Sequence, residues 1–169
     1  MAVLNIVKFG DSRLVAENEN IVQKDDTFPK LIENMIETMY AAPGVGLAAP
    51  QIGINRRLAV LDISAGSNRS DLMVLINPVL IEEHGEVKEE EGCLSFPGLI
   101  EWVVRPKRVV VKAFDQNMKP VEIPGDGMLA RALCHEIDHL DGVLFTERMG
   151  RLKRELTLRR ARKLSSGGW

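Results

Sequence analysis

Two histidines one helical turn apart, His135 and His139, constrain this chain more than any other feature of its sequence. They belong to the run His-Glu-Ile-Asp-His, inside a segment predicted to be a helix from about Gly127 to Asp141. Residues four positions apart share one helical face, so both imidazoles can bind a single divalent ion. Glu136 projects beside such an ion, where a base for an attacking water is needed. Two surface histidines that fall one turn apart by chance are the alternative, so further ligands decide the interpretation.

A third ligand is best supplied by Cys93. It stands in the run Glu-Gly-Cys-Leu-Ser at 91–95, and the glycine before it lets the backbone approach a ligand closely. A thiolate with two imidazoles leaves one position open for water, which is typical of catalytic metal sites. A buried core thiol is the alternative for this cysteine.

Other donors are weaker candidates for the third ligand. One known extension of the motif needs a further histidine where this chain has Phe145. A downstream glutamate, as in other zinc proteases, could only be Glu147 or Glu155, which lie in or beside a basic tail. His84 is predicted to be a solvated histidine in an acidic turn. Cys134 directly precedes His135, so it points about 100° away on a helix and is predicted to be a packed thiol.

The segment 44–51, Gly-Val-Gly-Leu-Ala-Ala-Pro-Gln, supplies a third constellation. Its Gly-x-Gly-x-x-Ala spacing is not a dinucleotide loop, because that loop follows a strand and opens a helix. Here a predicted helix precedes the segment and Pro50 interrupts it. The glycines let backbone lie against a ligand, and Gln51 offers an amide that can donate to a developing oxyanion. A plain turn between helix and sheet is the alternative.

Length and composition indicate one ordinary domain. The chain has 169 residues, of which 45% are hydrophobic and 27% charged, enough to bury a sizeable core. No apolar run approaches the ~20 residues of a membrane span, and the N-terminus lacks the features of a signal peptide. We therefore expect a cytosolic protein whose two cysteines remain thiols.

The charge is distributed unevenly along the chain. Residues 1–147 carry 14 basic and 23 acidic side chains, whereas residues 148–169 carry 8 basic and 1 acidic. The sequence thus divides into an acidic body, 1–147, predicted to be catalytic, and a basic C-terminal helix and tail, 148–169. The net charge of −2 favours neither a membrane nor DNA as a partner. The tip at 165–168 is predicted to be frayed.

The predicted elements indicate an α+β domain, since helices and strands are segregated rather than alternating. A first helix is predicted for Pro29–Ala42 and a third, basic one from Arg148 to about Leu164. Asp126 is the predicted N-cap of the middle helix, and Gly142 is its predicted C′ residue. Strands are predicted at 57–63, 73–81, 103–114 and 121–123, with a hairpin connection at 82–86 and edges or bulges at Pro78 and Pro106.

Taken together, the three motifs resemble peptide deformylase. The family patterns Gly-x-Gly-Leu-Ala-Ala-x-Gln, Glu-Gly-Cys-Leu-Ser and His-Glu-x-Asp-His-Leu-x-Gly match residues 44–51, 91–95 and 135–142 in order and spacing. The similarity runs from about Ile6 to Phe145. Many family members have Gln where this chain has Cys134, and Pro where it has Ser12. The resemblance implies a single α+β domain with antiparallel or mixed sheets around a central metal-binding helix, followed by a C-terminal helix.

The resemblance also implies an activity: removal of the formyl group from the N-terminal formylmethionine of new bacterial or organellar proteins. It implies Fe(II) as the working metal, with Zn, Ni or Co able to occupy the site. Cys93, His135 and His139 would hold the metal, and Glu136 would take a proton from water and give it to the departing amine. The oxyanion would be met by the metal, the Gln51 amide and, as the family suggests, the backbone N–H of Leu94.

The substrate's methionine needs an apolar slot. Val45, Gly46, Met128 and Ala132 could line it, with ordinary core packing as the alternative for the last two. The partners expected from this interpretation are N-formylmethionyl nascent peptides and, through the basic tail, the ribosome. Solvated packing of the tail's leucines on the body is the alternative for that segment.

Two other functions fit parts of the sequence. A small zinc protease shares the helix motif but requires a His or Glu as third ligand. A ribosome- or RNA-binding module with a structural metal would have four protein ligands and no role for Glu136. The metal content of a Cys93→Ser protein distinguishes the zinc protease from the deformylase. The activity of a tail-deleted protein on a formylated peptide distinguishes the RNA-binding module from either enzyme.

Overall fold

The sequence folds into three helices and seven strands in a computed structural model that describes residues 1–169. The helices are α1 (Phe28–Ala41), α2 (Met128–Leu140) and α3 (Arg151–Ser166). The strands are β1 (Gly46–Ala48), β2 (Leu58–Leu61), β3 (Met73–His84), β4 (Val87–Gly92), β5 (Ile100–Arg105), β6 (Arg108–Phe114) and β7 (Pro120–Asp126). All three predicted helices form. Arg148 lies in a short 3-10 helix before α3 rather than at the start of α3.

The strands form two antiparallel sheets. One has the order β1-β2-β3-β6-β7, and the other is the two-stranded sheet β4-β5. The predicted strand 103–114 is split at Pro106, which has no N–H for a ladder. Its two halves belong to different sheets. The predicted bulge at Pro78 occurs where the register of β3 against β6 shifts. The hairpin predicted at 82–86 is wrong, because β3 runs to His84 and pairs with β2 and β6, not with β4.

The large sheet is covered on both faces. Strand β2 shows why, since its residues alternate between two clusters. Leu58 and Val60 pack in the cluster of α1, whereas Ala59 and Leu61 pack in the cluster that includes Leu133 of α2. Helix α2 is therefore central, and 11 of its 13 residues are buried. The predicted α+β class with a central helix is confirmed.

Both ends of α2 are set by backbone geometry. Gly127, not the predicted Asp126, is the N-cap, at φ 55° and without a side-chain hydrogen bond. Asp126 instead ends β7, paired with Arg108. The other end is a Schellman motif, in which the Gly142 N–H donates to the His139 carbonyl and the Val143 N–H to the Asp138 carbonyl. Gly142 has φ 72°, as its predicted C′ position requires.

A third cluster joins the C-terminal segment to the rest of the molecule. Ala161 of α3 and Trp169 pack against it, and the Phe96 and Trp169 ring centroids are 6.3 Å apart. The tip at 165–168 is therefore not frayed, since α3 continues to Ser166 and the following residues return to Phe96. None of the three helices is long and apolar enough to cross a bilayer.

Candidate metal centre

Three predicted ligands meet beside α2. The Cys93 Sγ lies 3.3 Å from the His139 Nε2, which lies 3.2 Å from the His135 Nε2. All three donor atoms lie within 4.8 Å of one another. His135 and His139 come together because they are one turn apart on α2, and Cys93 reaches them from the turn that follows β4.

The donor set suits a tetrahedral divalent ion. Bonds of about 2.0–2.1 Å to imidazole nitrogen and about 2.3 Å to thiolate sulfur require neighbouring donors roughly 3.3–3.6 Å apart. The observed separations of 3.2 and 3.3 Å are close to those edges. Three protein donors leave a fourth position for water or substrate, as in catalytic sites.

The orientation of His135 is fixed by Glu91 of β4. The His135 Nδ1 lies 2.6 Å from the Glu91 Oε1, and a carboxylate there accepts the Nδ1–H. The Nε2 lone pair is then directed at the shared point, which is how ligating imidazoles are usually held. Burial alone would raise the pKa of Glu91, but hydrogen bonds from His135 and Arg105 outweigh it and hold that pKa well below its usual range.

A buried ionic network surrounds this contact. Arg105 donates to both oxygens of Glu91, at 2.6 and 3.0 Å, and to Asp138 at 2.6 Å. Arg131 adds a bond to Glu91, and Arg148 binds both oxygens of Asp138. The Arg105 side chain is 3% exposed. A buried carboxylate is tolerated only when paired, so the network allows Glu91 to stay charged next to His135.

Glu136 lies beside the donor set and is itself unpaired. It is 4% exposed, and its Oε2 has no hydrogen-bond partner in the protein. Burial raises its pKa to about 7. A Cβ added at Gly46 would collide with the Glu136 Oε1, so this glycine makes room for the carboxyl. A carboxyl of that pKa is suited to accept and return a proton near neutral pH.

Gln51 has a fixed amide orientation. Its Oε1 accepts the Ala48 N–H at 3.0 Å, which directs its Nε2 toward Ser95 Oγ at 3.3 Å and Cys93 Sγ at 3.7 Å. The side chain is buried next to the donor set. Its Nε2 is thus held beside the donor set, where an amide can donate to the oxygen of a bound carbonyl as negative charge develops on it.

A cavity of about 610 Å³ opens onto these groups. Its lining includes Gln51 and Leu94. It also includes every residue predicted for the substrate slot: Val45, Gly46, Met128 and Ala132. Its size is typical of pockets that take a small organic ligand. The structure therefore brings the predicted metal ligands, Glu136 and the predicted slot to one cleft.

The rejected ligand candidates lie elsewhere. His84 is on the surface beside Glu82, with 60% of its side chain exposed. Glu147 and Glu155 pair with arginines of the C-terminal segment. Cys134 belongs to the main core cluster, and burial raises its pKa to about 11, so it is the packed thiol that its position on the helix predicts.

Sequence reasoning gave no role to the ionic network. Glu91 and Asp138 stand inside the two motifs that contain the predicted metal ligands, so the sequence could have predicted that they lie near the site. Arg105 carried none, because it stands between valine and proline in an apolar run. Its function depends on β5 directing alternate side chains inward, which only the structure shows.

Comparisons with known proteins agree with this geometry. A family model described as polypeptide deformylase matches residues 3–155. A peptide deformylase of Thermodesulfovibrio yellowstonii is 51% identical over 156 residues, covering 92% of this chain and 94% of its own. A crystal structure of a peptide deformylase from Legionella pneumophila aligns with TM-score 0.91 and 44% identity, covering 98% of this chain and 96% of its own. One from Synechococcus elongatus in complex with actinonin aligns with TM-score 0.87 and 40% identity, covering 93% and 86%.

Proposed function

This chain belongs to the polypeptide deformylase family, and on that premise we propose that Cys93, His135 and His139 hold its metal and that Glu136 moves the proton. The protein is a metal-dependent hydrolase that removes the formyl group from the N-terminal formylmethionine of newly synthesised proteins, releasing formate. The observation that carries the assignment of roles is the convergence of three donor atoms beside a buried, unpaired carboxyl.

In the proposed reaction, a divalent ion held by the three ligands would act as a Lewis acid that makes water a nucleophile at neutral pH. Glu136 accepts the proton of the attacking water and returns it to the departing α-amine. Gln51 donates to the oxygen on which charge develops, as does the Leu94 backbone N–H in the role that the family implies. Burial of Glu136 and Gln51 keeps competing water away from these steps.

The direct test measures formate release from formyl-Met-Ala by anaerobically purified protein, with the unformylated peptide as control. Cys93→Ala should lose metal, whereas Cys134→Ser should keep it, because only the first sulfur faces the two imidazoles. Equal metal loss in both variants would refute Cys93 as a ligand. Formyl-Met-Ala left intact by the wild-type protein would refute the function.

The working metal in this proposal is Fe(II), with Zn, Ni or Co able to occupy the same donors. A thiolate with two imidazoles suits several divalent ions. A ferrous ion with a thiolate ligand and an open position reacts with oxygen, and the thiolate itself can be oxidised. We expect the iron-loaded protein to lose activity in air faster than the nickel- or zinc-loaded protein. Identical decay of all forms would contradict the assignment of iron.

The methionine side chain of the substrate is assigned to the slot between Val45 and Gly46 on one side and Met128 and Ala132 on the other. All four residues line the cavity. Ala132→Phe would fill the slot and should raise KM for formyl-Met-Ala more than for formyl-Gly-Ala. A uniform effect on both peptides would place the methionine elsewhere.

The ribosome is the proposed partner of α3. The leucines that the spacing places on one face of this helix do not pack on the body: Leu152 is 71% exposed, Leu156 50% and Leu164 41%. The side chains that face the body are Thr157 and Ala161. The outer face of α3 thus carries both basic and apolar side chains. The basic side chains fit the anionic RNA of a ribosome surface, and the apolar ones fit ribosomal protein beside that RNA.

Deleting residues 148–169 would disturb more than this surface, because Arg148 binds Asp138 and Ala161 is buried. A sharper test neutralises the exposed Arg159, Arg162 and Lys163 together as glutamines. We expect weaker co-sedimentation with ribosomes at low salt and unchanged turnover of formyl-Met-Ala. The matched control neutralises three exposed lysines of the body: Lys107, Lys112, Lys119. Equal ribosome binding by both triple variants would reject the role of α3.

We assign the protein to the compartment where formylated chains are made, which is the cytoplasm of a bacterium or the interior of an organelle. Its relatives named above include bacterial proteins. Fractionation of cells that express the tagged chain tests this assignment, and recovery of the protein in a secreted fraction would contradict it.

A further inference from the structure

We propose that an exposed apolar stripe on β5, formed by Ile100, Trp102 and Val104, binds the nascent chain downstream of its first residues. This inference rests on the proposed function, because it concerns the part of the substrate that the catalytic cavity does not hold. It assigns to the stripe a preference for apolar and aromatic side chains, beginning at about the fourth residue of the substrate.

The stripe results from an inverted pattern in β5. Successive side chains of a strand point to opposite faces. Here the inward face carries Glu101, Val103 and Arg105, and Arg105 is used in the buried ionic network. The apolar residues consequently point outward. Ile100 is 61% exposed, Trp102 51% and Val104 43%. An exposed apolar patch that is contiguous rather than scattered indicates a binding surface.

The stripe is continuous with the catalytic cleft. Ile100 lines the cavity together with Gly92 and Glu90 of β4. Gly92 pairs with Ile100, and Glu90 pairs with Trp102, so these residues share the outward face of the small sheet. Cys93, the proposed metal ligand, directly follows Gly92. A substrate whose formyl group lies at the donor set therefore has this face at the rim of the cavity.

Size requires the nascent chain to cross the rim. A cavity of about 610 Å³ holds a ligand of drug size, which corresponds to the first few residues of a peptide. Four steps along a strand, from Ile100 to Val104, span about 13 Å. An extended peptide on this face would place about four further residues along the stripe.

The far side of β5 is attached to the proposed ribosome-binding helix. Glu101 accepts a hydrogen bond from Arg160 at 2.6 Å and lies 3.7 Å from Lys153, whose ammonium also donates to the Trp102 carbonyl. The stripe thus lies on the face of β5 opposite to these contacts, and it begins at the rim of the cavity with Ile100. Because the stripe continues from the lining of the cavity, a substrate that emerges over the rim at Ile100 meets it first, which favours the nascent chain over a second copy of the protein as the occupant.

The test compares two hexapeptides, formyl-Met-Ala-Ser-Leu-Phe-Leu and formyl-Met-Ala-Ser-Ser-Asn-Ser, with formyl-Met-Ala as reference. For the wild-type protein we expect kcat/KM about 10-fold higher for the apolar hexapeptide than for the polar one, through a lower KM, as burial of one aromatic surface predicts. Trp102→Ser should reduce that ratio to near one. Val22→Ser, which removes an exposed apolar side chain outside the cavity lining, should leave it unchanged.

The outcomes separate the inference from the proposed function. A wild-type protein that cleaves formyl-Met-Ala but treats both hexapeptides equally refutes the stripe alone, whereas no cleavage of formyl-Met-Ala refutes both. A ratio that persists in Trp102→Ser also overturns the inference. A third outcome also overturns it: sedimentation equilibrium shows that Trp102→Ser dissociates a dimer, while the kcat/KM ratio of the two hexapeptides is unchanged. The stripe would then be an interface between two copies of the protein.

Discussion

Helices α2 and α3 have similar lengths, 13 and 16 residues, but opposite relations to the rest of the molecule. Eleven residues of α2 are buried, and these include two histidines, a glutamate, an aspartate and an arginine. Helix α3 buries only Thr157 and Ala161, and most of its charges lie in solvent, although Lys153 and Arg160 bind Glu101 of β5. Arg131, His135 and Asp138 of α2 are thus held by partners from β4 and β5, whereas exposed charges of α3 such as Arg159, Arg162 and Lys163 are available to a partner outside the molecule.

The largest effect is expected at Glu136, the buried carboxyl of α2 that is proposed to move the proton. Glu136→Gln keeps the shape of the side chain but removes its ability to accept a proton. We expect kcat for formyl-Met-Ala to fall by about 10²–10⁴-fold with near-stoichiometric metal, since the ligands are untouched. Measuring the metal content and the turnover of the same Glu136→Gln preparation checks this. Loss of metal, or turnover at the wild-type level, would show that Glu136 has another role.

Next in size is the removal of a buried partner of α2. Arg105→Met leaves Glu91 and Asp138 without their shared cation, which for buried pairs costs about 3–5 kcal/mol of unfolding free energy. Urea unfolding measures the loss. Arg108→Met provides a matched control on an exposed position of β6 and should change stability by less than about 0.5 kcal/mol. Equal stability of the two variants would mean that the network is not needed to hold the charges of α2.

A smaller effect is expected at Arg148, where the two regions meet. Arg148 binds Asp138 from the segment before α3, but 48% of its side chain is exposed and Asp138 retains Arg105. Arg148→Gln should cost at most about 1 kcal/mol, because solvent screens the pair. The same urea experiment checks this. A cost as large as that of Arg105→Met would place Arg148 inside the buried network rather than at its edge.

The smallest effect should come from the outer face of α3. Leu156→Ala removes a half-exposed side chain, and we expect a change in unfolding free energy within about 0.5 kcal/mol. Leu133→Ala, the corresponding truncation in α2, removes a fully buried side chain and should cost about 2–5 kcal/mol. Similar costs at the two positions would contradict the contrast between the helices.

Local patterns predicted α2 and the meeting of three potential metal donors beside it, because their signals are short in sequence. The spacing of His135 and His139 follows from one helical turn, and Gly142 marks the end of the helix by its required positive φ. The motif around Cys93 predicted a third donor near the two histidines without any knowledge of the sheets, and the structure places its sulfur beside them. These features depend on the backbone geometry of a few neighbouring residues.

The parts that could not be predicted depend on pairing between distant segments. Strand β4 contains three consecutive glutamates, which disfavour a strand by composition, yet it pairs with β5 in register from Val87 to Gly92. One of those glutamates, Glu91, can be buried because Arg105 and Arg131 pair with its carboxylate. The orientation of α3 was unpredictable for the same reason. The spacing of Leu152 and Leu156 predicted an apolar stripe, but it did not show which face of the helix would contact the body.

The aromatic contact of Trp169 with Phe96 gives the protein a natural optical reporter. The chain has two tryptophans, and they lie in opposite environments: Trp102 is half-exposed on β5, whereas Trp169 packs beside a ring that lines the catalytic cavity. Iodide should quench the emission of Trp102 and spare that of Trp169. A Trp102→Phe protein would then emit from Trp169 alone, and its spectrum would follow separation of the C-terminal segment from the cavity wall in solution, without any added label.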